Sequence, residues 1–197
     1  AATMVIDNPS LSLMQKRFGS RMNEQGDVYW DLFRRKNQNR SAGNTEGIWV
    51  IQFETDVPGG GSSTATLKAT GNYMLERHFV PMTRDVKLTV NGKKLSPFNW
   101  PIGDYTGGRG IGWGISTKYF SNKIWEDDFK GDIRNSNYNF VRKFPVNNSS
   151  FKAATGIDTI DVDNPPSGLI VGLGNSTETP GRYLFAYQTK ATTPFNH

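Results

Sequence analysis

The sequence of 197 residues has no cysteine and only two histidines, His78 and the terminal His197. The lack of cysteine excludes disulfide bonds, thiolate metal sites and a cysteine nucleophile. Two separated histidines also exclude an HExxH motif and a metal site built from several histidines. Long apolar runs are missing as well: the longest, residues 169–173, contains a glycine, whereas a membrane helix needs roughly 20 apolar residues. No metal and no cofactor are therefore predicted.

Hydrophobic residues make up 36% of the chain and the mean hydropathy is −0.56, while glycine and proline are frequent, at 21 and 10 residues. Loops are therefore expected over much of the chain, and the aromatic residues, at 12%, must supply a large share of the buried area. We predict a loop-rich α+β fold with short helices and a few short strands or hairpins. The length suits one hydrophobic core, so residues 1–197 are predicted to form a single domain.

The net charge of +5 and the isoelectric point near 9.4 raise the question of a polyanionic partner. The basic residues, however, form only small and separated clusters at 16–17, 34–36 and 93–94. Most of the other cations lie among acidic residues. A nucleic-acid partner is therefore not predicted.

Residues 108–139 change chemical character three times. Glycine occupies every second position at the start of this stretch, which permits close backbone approach and predicts a loop suited to binding. The spacing of the next apolar residues predicts a helix over 117–127, with Ser116 or Thr117 as its N-cap. An extended aromatic segment follows and ends at Pro145. Core positions are predicted at Trp49, Tyr119, Phe120, Ile124, Trp125 and Phe140.

Shorter patterns place the remaining elements. The pair Asn91-Gly92 between β-forming residues predicts a hairpin over 86–95. Amphipathic spacing within 9–24 predicts a helix that ends around Gly19, and the apolar residues within 26–35 predict one or two packed helical turns. Strands are predicted at 48–53, 169–173 and 182–189, turn-rich loops at 147–168, and a weakly ordered surface segment at 57–66.

Residues 112–144 combine a Gly-Trp loop, a Tyr-Phe helix, an Asp-Ile-Arg-Asn-Ser run and an Asn-rich strand. This block resembles the central region of the SusD/RagB family of cell-surface nutrient-binding lipoproteins. Residues 41–54, SAGNTEGIWVIQFE, and 187–197, YQTKATTPFNH, resemble the segments that flank it. The resemblance covers most of residues 10–197 and implies the central segment of an otherwise mainly α-helical fold. No helical-pair repeat is found in the sequence. We therefore expect a central fragment that lacks the signal peptide, the lipid-anchor cysteine and the helical repeat regions.

The resemblance implies non-catalytic binding of an oligosaccharide or polysaccharide at the outer-membrane cell surface, with delivery to a TonB-dependent transporter. The membrane would be contacted only through a lipid anchor that is not present in this chain. One alternative is a peptide-binding member of the same family, and another is an accessory or catalytic fragment of a glycoside hydrolase. Asp127 and Asp128 belong to the densest carboxylate group, but adjacent helical positions do not face one another across a glycosidic bond. No catalytic residue is therefore predicted.

Aromatic residues that lie among glycine and proline, outside the periodic segments, are predicted to be exposed and to form the ligand site. Sugar rings stack their apolar C–H faces on such side chains, while polar groups bind the hydroxyls. For Trp113 the sequence leaves a second interpretation open, a buried anchor beneath its own glycine loop. The predicted binding residues are Trp100, Tyr105, Arg109 and Trp113, with Tyr73, Arg77 and Asp104 as weaker candidates.

Two smaller motifs concern residues 158–163. Asp158, Asp161 and Asp163 have the oxygen chemistry of a Ca²⁺ site, but the glycine and the distal bidentate glutamate of a calcium loop are missing. No calcium site is therefore predicted. The triplet Asp158-Thr159-Ile160 resembles an acceptor pattern for bacterial surface O-glycosylation, which makes Thr159 a candidate for modification.

Overall fold

The computed structural model describes residues 2–34, 36–50, 78–99, 110–128, 130–171 and 181–191. Short helices and small antiparallel strand pairs joined by loops make up these residues, which confirms the α+β, loop-rich class. The chain divides into two compact units, Ala1–Met74 and Leu75–His197, which are described separately below. The prediction of a single domain stays a prediction. Within the described ranges, no helix has the length and apolarity needed to cross a membrane.

The first unit is built from short helical elements. The Asp27 side chain caps the second of them by accepting a hydrogen bond from the Trp30 N–H at 2.8 Å. This helix confirms the helical turns predicted within 26–35. The helical elements described in this unit are α1, Ala2–Ile6; a 3-10 turn, Gly19–Arg21; α2, Val28–Leu32; and a 3-10 turn, Arg40–Ala42.

The prediction of an amphipathic helix within 9–24 that ends around Gly19 is wrong, because the 3-10 turn Gly19–Arg21 is the helical element that forms there. The Arg17 guanidinium donates a hydrogen bond to the Gly26 carbonyl at 3.0 Å and pairs with the Asp31 carboxylate at 2.5 Å. Asp31 is fully buried, so this pairing also satisfies a carboxylate that would otherwise be costly to bury. The segment therefore wraps around the Arg17 side chain instead of forming intrahelical hydrogen bonds.

The described residues of the second unit form short helices and several short strands. Strands β1 to β7 are Val86–Val90, Lys93–Leu95, Phe140–Val141, Lys143–Pro145, Thr159–Asp161, Leu169–Val171 and Tyr187–Gln188. Helices α3 and α4 are Lys118–Ser121 and Ser149–Thr155, and 3-10 helices form at Thr83–Asp85, Lys123–Asp128, Ile133–Asn135, Gly181–Tyr183 and Thr189–Ala191.

The hairpin of β1 and β2 confirms the sequence prediction. Asn91 and Gly92 adopt positive φ angles of 50° and 77°, as a primed two-residue turn requires. Strand β1 lies between β2 and β6 in a three-stranded antiparallel sheet, with Leu88 opposite Leu95 on one side and Leu169 on the other. The prediction of a strand beginning at residue 169 is thus confirmed by β6.

Two smaller strand pairs and helix α4 complete the described elements of this unit. Strand β3 pairs with β7 and β4 pairs with β5, both antiparallel. The aromatic segment is extended and its strand ends at Pro145, as predicted. The loops predicted over 147–168 are wrong in part, because α4 and β5 form there. The Asn148 side chain caps α4 by accepting hydrogen bonds from the backbone N–H groups of Ser150 and Phe151 at 3.0 and 3.3 Å.

The helix predicted over 117–127 forms in part. Thr117, one of the two predicted caps, is its N-cap and accepts a hydrogen bond from the Phe120 N–H at 3.2 Å. The α-helix ends at Ser121, Asn122 leaves helical geometry with φ −130° and ψ −57°, and the chain continues as the 3-10 helix Lys123–Asp128. Because the helical repeat changes at Asn122, the apolar residues on either side of it do not share one buried face.

Burial separates the predicted core residues into two groups. Trp125 and Phe140 are buried at 7% and 0% exposure, as predicted, with their rings packed edge to face at 6.4 Å. The prediction is wrong for Tyr119, Phe120 and Ile124, which are 63%, 39% and 42% exposed, and for Trp49 in the first unit, which is 84% exposed. The core of the second unit consists of Val80, Val86, Phe98, Trp125, Phe140, Val141, Phe144, Val146, Phe151, Ile160, Val162, Leu169, Leu184, Phe185, Ala186 and Tyr187.

One strand prediction is not reproduced at the residues that are described, and another is reproduced in part. Residues 48–50 are not in a strand, and the rest of the strand predicted at 48–53 lies outside the described residues. Within 182–189 only β7 is a strand, because the chain before it forms the 3-10 helix Gly181–Tyr183. The surface segment predicted at 57–66 also lies outside the described residues.

Candidate functional site

The glycine loop of residues 110–114 is packed tightly against two other segments of the second unit. A Cβ atom on Gly110 would lie 2.2 Å from the Val80 carbonyl oxygen, and one on Gly112 would lie 2.4 Å from the Arg182 carbonyl oxygen. Gly112 also has a positive φ of 65°. The recurring glycines are therefore required for close approach and backbone geometry, and the loop they form is held in place.

Trp113 is presented by this loop. Its side chain is 58% exposed, so the interpretation of Trp113 as a buried anchor does not hold. The Gly114 N–H donates a hydrogen bond to the His78 carbonyl oxygen at 2.8 Å, which fixes the backbone next to the indole. The Trp113 and His78 rings lie 5.0 Å apart between centroids at an angle of 38°. The result is an exposed aromatic face on a loop with little freedom to move.

A groove of about 520 Å³ begins at the residue after Trp113. Its apolar walls include Phe79, Ile115 and Phe120, each at least 39% exposed. None of the described residues that line this groove is an aspartate or a glutamate. These described lining residues are Phe79, Gly114, Ile115, Ser116, Thr117, Phe120, Phe185, Tyr187, Gln188 and Lys190.

Hydrogen bonds fix the polar part of the groove wall. The Ser116 hydroxyl donates to the carbonyl oxygen of Ala186, which joins the loop after Trp113 to the residue before β7. Thr117 uses its hydroxyl oxygen as the cap of α3. The segment 114–117 is therefore attached at both ends to regular structure, and its position beside β7 is fixed.

The Asp163 carboxylate accepts hydrogen bonds from the side chains of Lys118 and Asn122. Burial raises the pKa of Asp163, but hydrogen bonds from Lys118 and Asn122 outweigh this effect. The charges of Lys118 and Arg142 act in the same direction as these hydrogen bonds, so the pKa of Asp163 falls below its usual 3.8. Burial in turn lowers the pKa of the Arg142 guanidinium, and the charge of Asp163 opposes that shift. Asp163 is thus ionised and used to join α3 to the segment after β5.

The other acidic residues considered from the sequence serve local roles. Asp158 pairs with Lys152 at 3.5 Å and Asp161 pairs with Lys143 at 3.6 Å. Within the described parts of the chain, no group of three or more histidine, cysteine, aspartate or glutamate side chains is placed to hold a metal ion. Asp128 accepts a hydrogen bond from the Gly131 N–H at 3.0 Å. Thr159 is exposed at the start of β5, and its glycosylation stays a prediction.

Of the predicted binding residues, the structure describes Trp113. Sequence reasoning missed His78 and Arg182, which pack against the glycine loop, and Phe79 and Phe120, which form groove walls. These residues come from segments far apart in the chain, and no local pattern connects them. Trp100, Tyr105, Arg109, Tyr73, Arg77 and Asp104 lie outside the described residues.

The comparisons with known proteins give no relative: no family model, curated protein or solved structure matches this chain. The function is therefore argued from the geometry of Trp113 and the groove, together with the resemblance in the sequence.

Proposed function

We propose that this protein is a non-catalytic glycan-binding protein of the SusD/RagB type. In this proposal it captures an oligosaccharide or polysaccharide at the outer-membrane cell surface and delivers it to a TonB-dependent transporter. The full-length protein would be held there by a lipid anchor. The resemblance of residues 112–144, 41–54 and 187–197 to that family supports the proposal, and so does the presentation of Trp113.

The single observation that carries the proposal is an exposed indole on a tightly packed loop. A sugar ring stacks on such a face through its C–H groups, and by analogy with bases on aromatic side chains each stack contributes about 1 to 3 kcal/mol. Because Gly110 and Gly112 pack against the backbones of Val80 and Arg182, stacking on Trp113 would order little additional protein. More of the stacking energy is then available as affinity.

A calorimetric titration of the chain with glycans selected on an array tests the proposal. Trp113→Ala is expected to weaken glycan affinity about tenfold or more, since the stacking face is lost. The melting temperature should change little, because the side chain is mostly exposed. Trp49→Ala is the matched control: it removes an even more exposed indole from the first unit and should leave affinity unchanged. Equal affinity of Trp113→Ala and the unmodified chain would contradict the proposal.

We propose no hydrolase activity for this chain. Asp127 and Asp128 are both exposed and adjacent on one 3-10 helix, and Asp128 caps the turn that follows. Two carboxylates that act on a glycosidic bond must approach it from opposite sides. Release of reducing sugars from a polysaccharide by the purified protein, abolished by Asp127→Asn or Asp128→Asn, would contradict this part of the proposal.

Peptide binding is the second candidate function, and the apolar character of the groove favours it. Phe79, Ile115 and Phe120 offer apolar walls on which aliphatic side chains of a peptide would pack. A panel of apolar peptides separates the two functions. Peptide binding in the groove is expected to be weakened by Phe120→Ala and unchanged in Trp113→Ala. This result would identify the protein as a peptide binder. Tyr119→Ala, an exposed aromatic outside the groove lining, is the control.

A further inference from the structure

Arg182 lies beneath the loop that presents Trp113. The Arg182 carbonyl oxygen accepts a hydrogen bond from the Met82 N–H at 3.0 Å. A Cβ atom on Gly112, the residue before Trp113, would lie 3.0 Å from the Arg182 Cβ atom. The main chain of Arg182 is therefore hydrogen-bonded to Met82 and packs against the same loop that carries the exposed indole.

The Arg182 guanidinium is partly buried and has weak partners. Its Nη2 donates to the Met82 Sδ atom at 3.4 Å, and its Cζ lies 5.4 Å from the centre of the Tyr183 ring. A thioether sulfur is a weak acceptor and an aromatic ring does not neutralise a charge. Among the described residues, no carboxylate lies within ion-pair distance of Arg182, whereas Arg17, Arg21, Arg84 and Arg134 each have one.

A guanidinium in this setting favours an anionic partner from outside. Its planar set of donors matches the two oxygens of a carboxylate, and partial burial strengthens the pairing relative to one in open water. Among the described residues that line the neighbouring groove, none is acidic, and the net charge of +5 favours the approach of an anion.

We propose that the glycan recognised at Trp113 is acidic, with a uronic-acid carboxylate bound by Arg182 while a sugar ring stacks on the indole. This inference rests on the proposed glycan-binding function and adds the substrate class to it. Arg182 acts as the specificity-determining residue, because neutral sugars can use the stacking face but have no group for the guanidinium. Stacking on Trp113 then contributes affinity for acidic and neutral sugars alike, and the pairing of the carboxylate with Arg182 makes the site selective for acidic sugars.

The test compares each acidic oligosaccharide with its own neutral form. The probes are oligogalacturonate, alginate and glucuronate-containing oligosaccharides, and the same samples after reduction of their carboxylates to primary alcohols. Calorimetry is expected to show at least one acidic probe bound about tenfold or more tightly than its reduced form, the usual effect of a charge-assisted hydrogen bond. Arg182→Gln should remove this preference and leave affinity for the reduced form unchanged. Arg182→Lys, which keeps the charge without the planar fork, should give an intermediate preference.

Lys123→Gln is the control, since it removes one exposed positive charge from the same unit without touching the loop. It should keep the preference for the acidic form, and a loss of preference would show a general charge effect instead of recognition by Arg182. Equal binding of acidic and reduced probes, both weakened by Trp113→Ala, would overturn the acidic specificity and leave the glycan-binding function standing. Failure of the chain to bind any glycan would overturn both.

Discussion

Trp49 and Trp125 are the same residue type in opposite surroundings. Trp49 is 84% exposed, whereas Trp125 is 7% exposed and its indole N–H donates to the Phe120 carbonyl oxygen at 2.9 Å. Trp125→Ala should lower the free energy of unfolding by about 3 to 5 kcal/mol, because it leaves a cavity beside Phe140. Trp49→Ala should change it by less than about 0.5 kcal/mol. Urea unfolding followed by circular dichroism measures both, and similar losses in the two variants would contradict the burial described here.

Gly112 and Gly156 allow the cost of a positive φ angle to be distinguished from the cost of a close backbone contact. Both have positive φ, at 65° and 70°, but a Cβ atom on Gly156 would meet nothing within 4 Å, whereas one on Gly112 would meet backbone at 2.4 Å. Gly156→Ala should therefore cost about 1 to 2 kcal/mol of stability, from backbone strain alone. Gly112→Ala should cost more, because the loop or Arg182 must also move. Thermal unfolding compares them, and an equal cost would show that the close contact at Gly112 is relieved without loss.

Single residues mark the limit of what the sequence predicts about the site. The exposure of Trp113 among glycines was one of two open interpretations, and the structure decides between them. Phe120 and Trp125 both fitted an apolar helical pattern, yet one lines a groove and the other is core. The difference arises at Asn122, where the helical repeat changes, and a polar residue within a helix pattern gives no reliable sign of such a change.

At the scale of elements, local turn and cap chemistry was the most predictive signal. The Asn91-Gly92 turn and the Thr117 cap are determined within a few residues, and both were predicted. The helix predicted within 9–24 does not form, because the Arg17 guanidinium binds backbone carbonyl oxygens of residues 21, 24 and 26 and pairs with Asp31, contacts that the apolar spacing does not reveal. Helix α4 was missed because Asn148 and the serines after it are as typical of turns as of helix caps.

The cap of α4 gives a prediction about this element. Asn148→Ala removes the acceptor for two backbone N–H groups and also the hydrogen bond that its side chain donates to the Ser96 carbonyl oxygen at 2.9 Å. The free energy of unfolding should fall by about 0.5 to 2 kcal/mol. Asn148→Asp keeps the capping acceptor, so its free energy of unfolding should fall by less than that of Asn148→Ala. If alanine and aspartate at position 148 gave the same melting temperature in differential scanning calorimetry, the cap would not stabilise α4.

At the scale of the whole molecule, stability should depend on pH through Asp163. Its pKa is lower in the folded chain than the usual 3.8, so its contribution to stability is fully present above that value. The contribution is lost as the pH falls through the lowered pKa, because protonation breaks the pairing with Lys118. Chemical unfolding measured from about pH 6 down to about pH 2 gives the free energy of unfolding at each pH. This free energy should fall less steeply with decreasing pH for Asp163→Asn than for the unmodified chain.

The control for this pH dependence is Asp127→Asn. Among the described residues, the exposed Asp127 carboxylate has no ion pair. The free energy of unfolding of this variant should therefore fall with decreasing pH as it does for the unmodified chain. If the free energy of unfolding of Asp163→Asn fell with decreasing pH as steeply as that of the unmodified chain, the pairing with Lys118 and Asn122 would not stabilise the folded state.

The central position of β1 has a consequence for the order in which the chain folds. Leu88 meets Leu95 across a turn of a few residues, a contact that hairpins make in about 1 to 10 μs. Its other neighbour, Leu169, is separated from it by most of the second unit, and contacts of such long range form slowly. During synthesis, at about 5 to 20 residues per second, the free edge of β1 is therefore open for several seconds before β6 has left the ribosome. In that interval the hairpin is a template for pairing with other nascent chains.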